Sequence, residues 1–342
     1  MVTAWDGAKG QVESMPVRWE RLQGVRYAGP VERRCPVYLP PGYDDEPERR
    51  YPLMVDLVGF TGSGYSHLNW RPFSESLPER LDRLIGEGRM GPVIVALPDM
   101  MTRLGGNQYV DSAALGPWAT ILCEDLIPQL ESTWRCLGGR DHRAVFGKSS
   151  GGYGALMHAL TRSETWGAAA CHSGDCGFDL CYRPVVPTAL DGLHAHDGSV
   201  EAFLEEWESK EKHSEDELNT LMFIAMAATY DADPEAPLGF HLPFDPKTGE
   251  QLPERWAAWA RFDPAELVSS HLEALFRMNE LYIDCGTKDQ FGLCWGARLL
   301  VSRLRAAGVT HFYEEFDDNH FGIDYRMDVS LPKLYEAIKP AA

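Results

Sequence analysis

Hydrophobic positions along this chain fall into short apolar runs that alternate with longer amphipathic stretches. Residues 18–25 and 31–39 read as two strands, and Pro40-Pro41-Gly42-Tyr43 stops the second. Residues 44–50, mixed acidic and basic, form a solvated turn. Tyr51-Pro52-Leu53-Met54-Val55-Asp56-Leu57-Val58 is almost continuously apolar, as suits a strand covered on both faces. It runs into the glycine-rich loop 59–64. The spacing predicts a helix over 74–87, then a buried strand over 92–97 stopped by Pro98. A polar loop spans 99–112 and contains Gly105-Gly106-Asn107-Gln108-Tyr109. Residues 118–134 put Ile121, Leu122, Leu126, Ile127 and Leu130 on one side of a helix, which Pro128 is expected to bend.

Arg143-Ala144-Val145-Phe146 begins another strand. A sharp turn follows, and then a helix carrying Ala155, Leu156, Ala159 and Leu160 at helical spacing. Residues 167–172 make a short strand of small residues. The rhythm breaks over 176–270, which holds proline-rich turns, an acidic helix near 199–217, an apolar helix near 218–229 and a loop over 234–253. Strand and helix then alternate again: 281–286, 291–307, 311–316 and 331–338. No repeat or low-complexity tract interrupts the pattern. Alternation of this kind implies an α/β fold, a mainly parallel sheet with helices on both faces. The expected organisation is one domain over 1–342. Residues 176–270 form a helical insertion, or lid, after the sixth strand, because they show no evident core of their own.

Composition narrows the possible partners. The chain has 342 residues, 44% of them hydrophobic and 24% charged, enough for a substantial core. Its net charge of −19, from 51 acidic against 32 basic residues, argues against nucleic acid and anionic membranes. No apolar run approaches the ~20 residues of a membrane helix. Met1 to Gly10 lack a basic-then-apolar signal pattern, so the expected location is cytoplasmic. The eight cysteines do not follow a zinc spacing and read as small buried hydrophobes in a reducing compartment. Nothing calls for a metal or cofactor. A homo-oligomer is possible.

The candidate chemistry centres on Gly147-Lys148-Ser149-Ser150-Gly151, a G-x-S-x-G between strand and helix. On such an elbow a serine hydroxyl stands clear of the backbone at the sheet edge, and the flanking glycines avoid collision with neighbouring strand and helix. Gly-Lys-Ser also ends a phosphate-loop pattern, but that pattern needs glycine where this chain has His142. A serine nucleophile needs a base and a group that orients the base. In α/β-hydrolases these follow as acid and then histidine, in loops after late strands. Asp289 and His320 occupy those positions. Asp175 is the rival acid, after the earlier strand. Asp284 lies within a strand, His172 could line the pocket, and His311 starts a strand and is expected to be structural. The oxyanion donors are expected to be the backbone N–H groups of Ser150 and Phe60. Gln108, Tyr109 and His172, with Phe240, Phe244 and Trp259 of the insertion, are expected to contact substrate. Trp207 and Trp256 add to the insertion's aromatic surface.

Several blocks together resemble a known family. They are Val37-Tyr38-Leu39-Pro40-Pro41-Gly42-Tyr43, Pro98-Asp99, the stretch from Gly147 to Ala155, His172-Ser173-Gly174-Asp175, Cys285-Gly286-Thr287-Lys288-Asp289 and Asn319-His320. The chain is similar to the putative-esterase group of α/β-hydrolases, which includes esterase D, feruloyl and enterochelin esterases, and mycolyltransferases. The resemblance spans about residues 31–340, except the insertion. It implies an α/β-hydrolase fold and a serine hydrolase of carboxylic esters, with Ser149, Asp289 and His320 as the matching triad. Many members carry His-Gly at the oxyanion loop, where this chain has Val58-Gly59. The expected function is therefore an esterase acting on a small-molecule ester. An acyltransferase using the same acyl-enzyme is an alternative, as is a non-catalytic binding protein of the same fold.

Overall fold

The computed structural model describes residues 5–340. Among these described residues, eight strands build one sheet: β1 (Gln11–Arg18), β2 (Glu32–Leu39), β3 (Leu53–Leu57), β4 (Ile94–Ala96), β5 (Arg143–Lys148), β6 (Ala168–His172), β7 (Glu280–Gly286) and β8 (Phe312–Phe316). Their spatial order is β1-β2-β4-β3-β5-β6-β7-β8. Only β2 runs against its neighbours, and every pair from β4 to β8 is parallel. β3 and β6 are buried along their whole length, which accounts for their largely apolar sequence, interrupted only by Asp56 and His172.

Side chains alternate between two apolar layers. Met54, Val95, Ala144, Phe146, Ala170 and Tyr282 face the helices Leu77–Gly86 and Met327–Ile338. Val55, Val145, Ala169, Cys171 and Ile283 face the other way, toward the helices Ser150–Thr161 and Leu293–Ala306. All eight cysteines are unpaired, and all but the half-buried Cys123 are buried. Among the described residues, no helix is long and apolar enough to cross a membrane.

Three expectations about local structure are corrected. The first strand lies at Gln11–Arg18, not 18–25, and Glu20–Leu22 is a single 3₁₀ turn. Only Met15 and Val17 of β1 are buried, so most of that edge strand shows no apolar signal, while Trp19 and Leu22 bury themselves from a turn. The helix around 118–133 does not simply bend at Pro128. It widens over Ile121–Leu126, where the Ile127 N–H reaches the Leu122 carbonyl, one residue beyond the α-helical partner. Pro128 has no N–H to offer, which removes a rung of the ladder at that point. The acidic helix near 199–217 is two elements, Val200–Ser209 and Glu215–Tyr230. Ser214 and Glu217 form a reciprocal capping box that starts the second.

Between β6 and β7 the inserted segment adds the helices Val186–His194, Val200–Ser209, Glu215–Tyr230 and Pro253–Ala260. Its apolar side chains join the same contiguous cluster as the sheet face beneath it. The junction is aromatic. The Tyr153 ring, on the helix after β5, lies 6.1 Å from Phe178 and 6.0 Å from Tyr230.

Candidate active site

β5 ends at Lys148 and the next helix starts at Ser150, so Ser149 alone must turn the chain. It does so at φ 58° and ψ −127°, a conformation that costs a non-glycine residue roughly 1–3 kcal/mol. Its neighbours leave no room for side chains. A Cβ on Gly147 would sit 2.2 Å from the Leu57 carbonyl oxygen, and one on Gly151 only 1.9 Å from it. The Ser149 N–H donates to the His172 carbonyl at 3.0 Å and ties the elbow to β6.

The loops after β7 and β8 are held against each other by backbone hydrogen bonds. Thr287 N–H donates to the Phe316 carbonyl at 2.8 Å, and Lys288 N–H to the Asp318 carbonyl at 2.9 Å. Glycine at 286 permits this approach, since a Cβ there would meet the Asp318 oxygen at 2.4 Å. Asp289 and His320 are thereby brought together, with Oδ2 2.7 Å from Nδ1. The Asp289 side chain is fully buried, and its Oδ1 accepts the Phe291 N–H at 3.0 Å. The Phe291 ring stands edge-on to the imidazole with centroids 4.9 Å apart. Ser149 and His320 open into one cavity of about 640 Å³.

The rival acids have other partners. Asp175 Oδ2 accepts the Gln108 amide and the Tyr182 hydroxyl, each at 2.8 Å. Burial holds its carboxyl above the ordinary range. Asp284 is enclosed between His172 Nδ1 at 2.7 Å and Arg326 Nε at 2.9 Å. Burial opposes its charge, but His172, Arg326 and Tyr282 together hold it below the ordinary range. His311 Nδ1 meets the Val309 carbonyl at 2.8 Å, away from the cavity.

Phe60 and Ser150 both line the cavity beside Ser149. Among the described residues, neither backbone N–H donates to a protein acceptor. The other residues expected at the substrate lie elsewhere. Phe240, Phe244 and Trp259 are 1%, 1% and 0% exposed. They form the insertion's core, with Phe223 5.3 Å from Phe244 and 4.9 Å from Trp259. His172 is buried on the far side of β6, where its Nε2 meets Ser330 at 2.8 Å. Aromatic residues without a matching polar face tend to pack inward, and here they do.

Gln108 and Tyr109 stand behind the cavity wall and brace it. Both adopt positive φ, 57° and 58°. The Tyr109 hydroxyl donates to the Val58 carbonyl at 2.7 Å, at the root of the loop carrying Phe60. Gly106 lets the same segment press on Phe60, since a Cβ there would lie 3.0 Å from the Phe60 Cα. The Tyr109 carbonyl is held in turn by His158, whose Nε2 lies 3.0 Å away, while Trp166 Nε1 donates to His158 Nδ1 at 2.9 Å. This pattern requires a neutral ring protonated on Nε2. Burial accordingly lowers the His158 pKa to about 4.

A pH dependence follows. Below the unfolded value of about 6.5 the unfolded chain binds a proton that the native ring refuses. Native stability should therefore fall by roughly 2–3 kcal/mol as pH drops from about 6.5 to 4. Urea unfolding of wild type and His158→Gln checks this. The gap between them should narrow by that amount on acidification, and parallel losses would show that His158 is not the group responsible.

Residues that the sequence did not mark as site residues complete the cavity. Tyr182, Val185, Leu218 and Met222 come from the insertion, and His67, Asn69, Arg71, Lys148 and Asp324 come from the rest of the chain. Leu218 and Met222 are one helical turn apart, a signal visible in the sequence. However, the helix Glu215–Tyr230 is buried nearly all round over its second half, so no single face stood out. Among the described residues, no cluster of His, Cys, Asp and Glu is arranged to hold a metal ion.

The fold and this geometry define an α/β-hydrolase. The family model described as "Putative esterase" matches residues 30–328, and the chain belongs to that family. Esterase MT1326 of Mycobacterium tuberculosis is 35% identical over 85 residues, which is 24% of this chain and 18% of that protein. A solved ferulic acid esterase superposes with a TM-score of 0.60 at 17% identity, covering 97% of this chain and 100% of its own. An S-formylglutathione hydrolase from Agrobacterium tumefaciens gives a TM-score of 0.56 at 17% identity, covering 98% and 99%. At these identities the two structures speak for the fold alone.

Proposed function

We propose that this chain is a serine esterase that hydrolyses small carboxylic esters through an acyl-enzyme on Ser149. The observation that carries the reading is the 2.7 Å contact between Asp289 Oδ2 and His320 Nδ1, with His320 and the strained Ser149 sharing one cavity. In this mechanism His320 Nε2 takes the Ser149 proton as Oγ attacks the ester carbonyl. Asp289 holds the ring with Nδ1 protonated and stabilises the imidazolium. The N–H groups of Phe60 and Ser150 receive the developing oxyanion. His320 then protonates the leaving alcohol, and water releases the acyl group by the reverse route. A fluorophosphonate probe should label Ser149 and no other serine, as read by peptide mass spectrometry. The eight unpaired cysteines support a reducing, cytoplasmic setting.

The insertion over 176–270 acts as a cap that sets substrate size. Tyr182, Val185, Leu218 and Met222 support this reading, because they face the cavity that Ser149 enters. Met222→Trp should shift the preference among nitrophenyl esters toward shorter acyl chains, with the long-to-short ratio of kcat/KM falling at least ~10-fold. Trp259→Ala should behave differently. It leaves a void under the cap, costing roughly 3–5 kcal/mol in denaturant unfolding. If Met222→Trp leaves the chain-length ranking unchanged, the cap does not touch substrate.

A further inference from the structure

The ends of β3, β5, β6 and β7 carry a layer of polar side chains on the face that packs against Leu77–Gly86 and Met327–Ile338. Strand alternation puts Asp56, Lys148, His172 and Asp284 there, in line with Met54, Phe146, Ala170 and Tyr282. Most of these groups are matched. Asp56 holds His67 through a 2.5 Å contact. Burial opposes charge on that ring, but Asp56 overrides it and raises the pKa. His172 and Asp284 are paired, and Arg326 closes the pair. At the mouth, Asp324 holds Arg71 at 3.0 Å.

Lys148 stands apart as an unpaired cation, although Asp56 Oδ1 is also without a hydrogen-bond partner among the described residues. It is half-buried, lines the cavity, and immediately precedes the nucleophile in the chain. Among the described residues, its ammonium has no hydrogen bond or ion pair, and Asp324 acts on it only at longer range. Burial lowers its pKa accordingly. A half-buried cation without a direct partner loses hydration and is only partly compensated by Asp324 and Asp289 at longer range, while Arg71 opposes it. The arrangement is also at odds with the chain as a whole, whose net charge is −19. Long-range steering of anions is therefore not its use, and a short-range contact is.

We infer that Lys148, with Asn69 and Arg71 of the same cavity lining, forms a subsite for a carboxylate carried by the ester substrate. The inference rests on the esterase reading and gives it a substrate class: half-esters of dicarboxylic acids, or esters of hydroxy acids. Bound carboxylate would give the ammonium the counter-charge that it lacks, and the Asn69 amide and the outer Arg71 guanidinium supply further donors.

Binding and turnover test this separately. Calorimetry on Ser149→Ala protein compares monomethyl glutarate with uncharged methyl pentanoate. The anion should bind at least ~10-fold more tightly, with the preference lost in Ser149→Ala/Lys148→Met and largely kept in Ser149→Ala/Lys148→Arg. In Ser149-containing protein the kcat/KM ratio of nitrophenyl hemiglutarate to nitrophenyl pentanoate should fall at least ~10-fold on Lys148→Met. A carboxylate on the alcohol side, as in O-acetyl glycolate against ethyl acetate, tells which half of the ester meets Lys148. Equal binding of the charged and uncharged ligands, or a preference untouched by Lys148→Met, overturns the subsite. Absence of turnover with every ester would sink the esterase reading, while the calorimetry still decides the subsite.

Discussion

Ser149→Ala should abolish ester hydrolysis, lowering kcat by roughly 10⁴-fold or more, and leave the protein at least as stable as wild type. The loss is chemical. Alanine removes the atom that bonds to the acyl carbon, and the neighbouring Ser150 is buried at the start of the helix, not at the turn position. The unchanged stability follows from the local structure. Among the described residues, Ser149 Oγ makes no hydrogen bond, and the Ser149 N–H bond to the His172 carbonyl is backbone and survives the change. The strain at φ 58° also persists, because alanine has a Cβ as serine does. Ser149→Gly should lose activity in the same way yet gain stability, by up to about 1 kcal/mol, since glycine adopts positive φ freely. Kinetics with nitrophenyl acetate and thermal unfolding separate these effects. Near-normal turnover in Ser149→Ala would place the nucleophile elsewhere.

The parallel strands were legible because burial on both faces leaves a nearly continuous apolar run. Leu53–Leu57 and Ala168–His172 are of this kind. The edge strand Gln11–Arg18 was not, because solvent covers most of it and Trp19 and Leu22 imitate a strand nearby. The elbow was legible for a steric reason: glycines at 147 and 151 mark places where a backbone carbonyl arrives within 2.2 Å of a would-be Cβ. Asp289 and His320 stood out by their distance beyond late strands, and the structure joins those two loops. The cavity wall was much harder to read. Phe240, Phe244 and Trp259 drew attention as aromatic residues in the insertion, yet they are its interior. Tyr182, Leu218 and Met222 line the cavity and carry no mark that separates them from core residues. Which apolar side chains face a void depends on how a helix rolls on its neighbours, and periodicity does not report that. Lys148 stood out in the sequence only within Gly-Lys-Ser, the end of a phosphate-loop pattern that His142 breaks. Its meaning depends on which charges around it are already paired, and only the three-dimensional arrangement shows this.

Asp289→Asn should reduce kcat by roughly 10⁴-fold, whereas Asp175→Asn should reduce it no more than about 10-fold. Both carboxyls belong to the same neighbourhood, and Asp175 lines the cavity that Ser149 enters. Their partners distinguish them. Asp289 Oδ2 lies 2.7 Å from His320 Nδ1, and its Oδ1 is fixed by the Phe291 N–H at 3.0 Å. An asparagine amide can donate to Nδ1, which would favour the tautomer with the proton on Nε2 and leave no base facing Ser149. Asp175 instead accepts the Gln108 amide and the Tyr182 hydroxyl. An asparagine oxygen can accept the same two bonds, so the wall of the cavity keeps its shape. Burial already disfavours the Asp175 charge, which further limits what neutralising it removes. Two controls guard the comparison. Fluorophosphonate labelling of Asp289→Asn should slow along with turnover, because it draws on the same base. Denaturant unfolding should show both variants folded at assay temperature. The opposite ranking, with Asp175→Asn the more damaging, would assign the orienting carboxylate to the end of β6 and leave the Asp289–His320 contact a structural one.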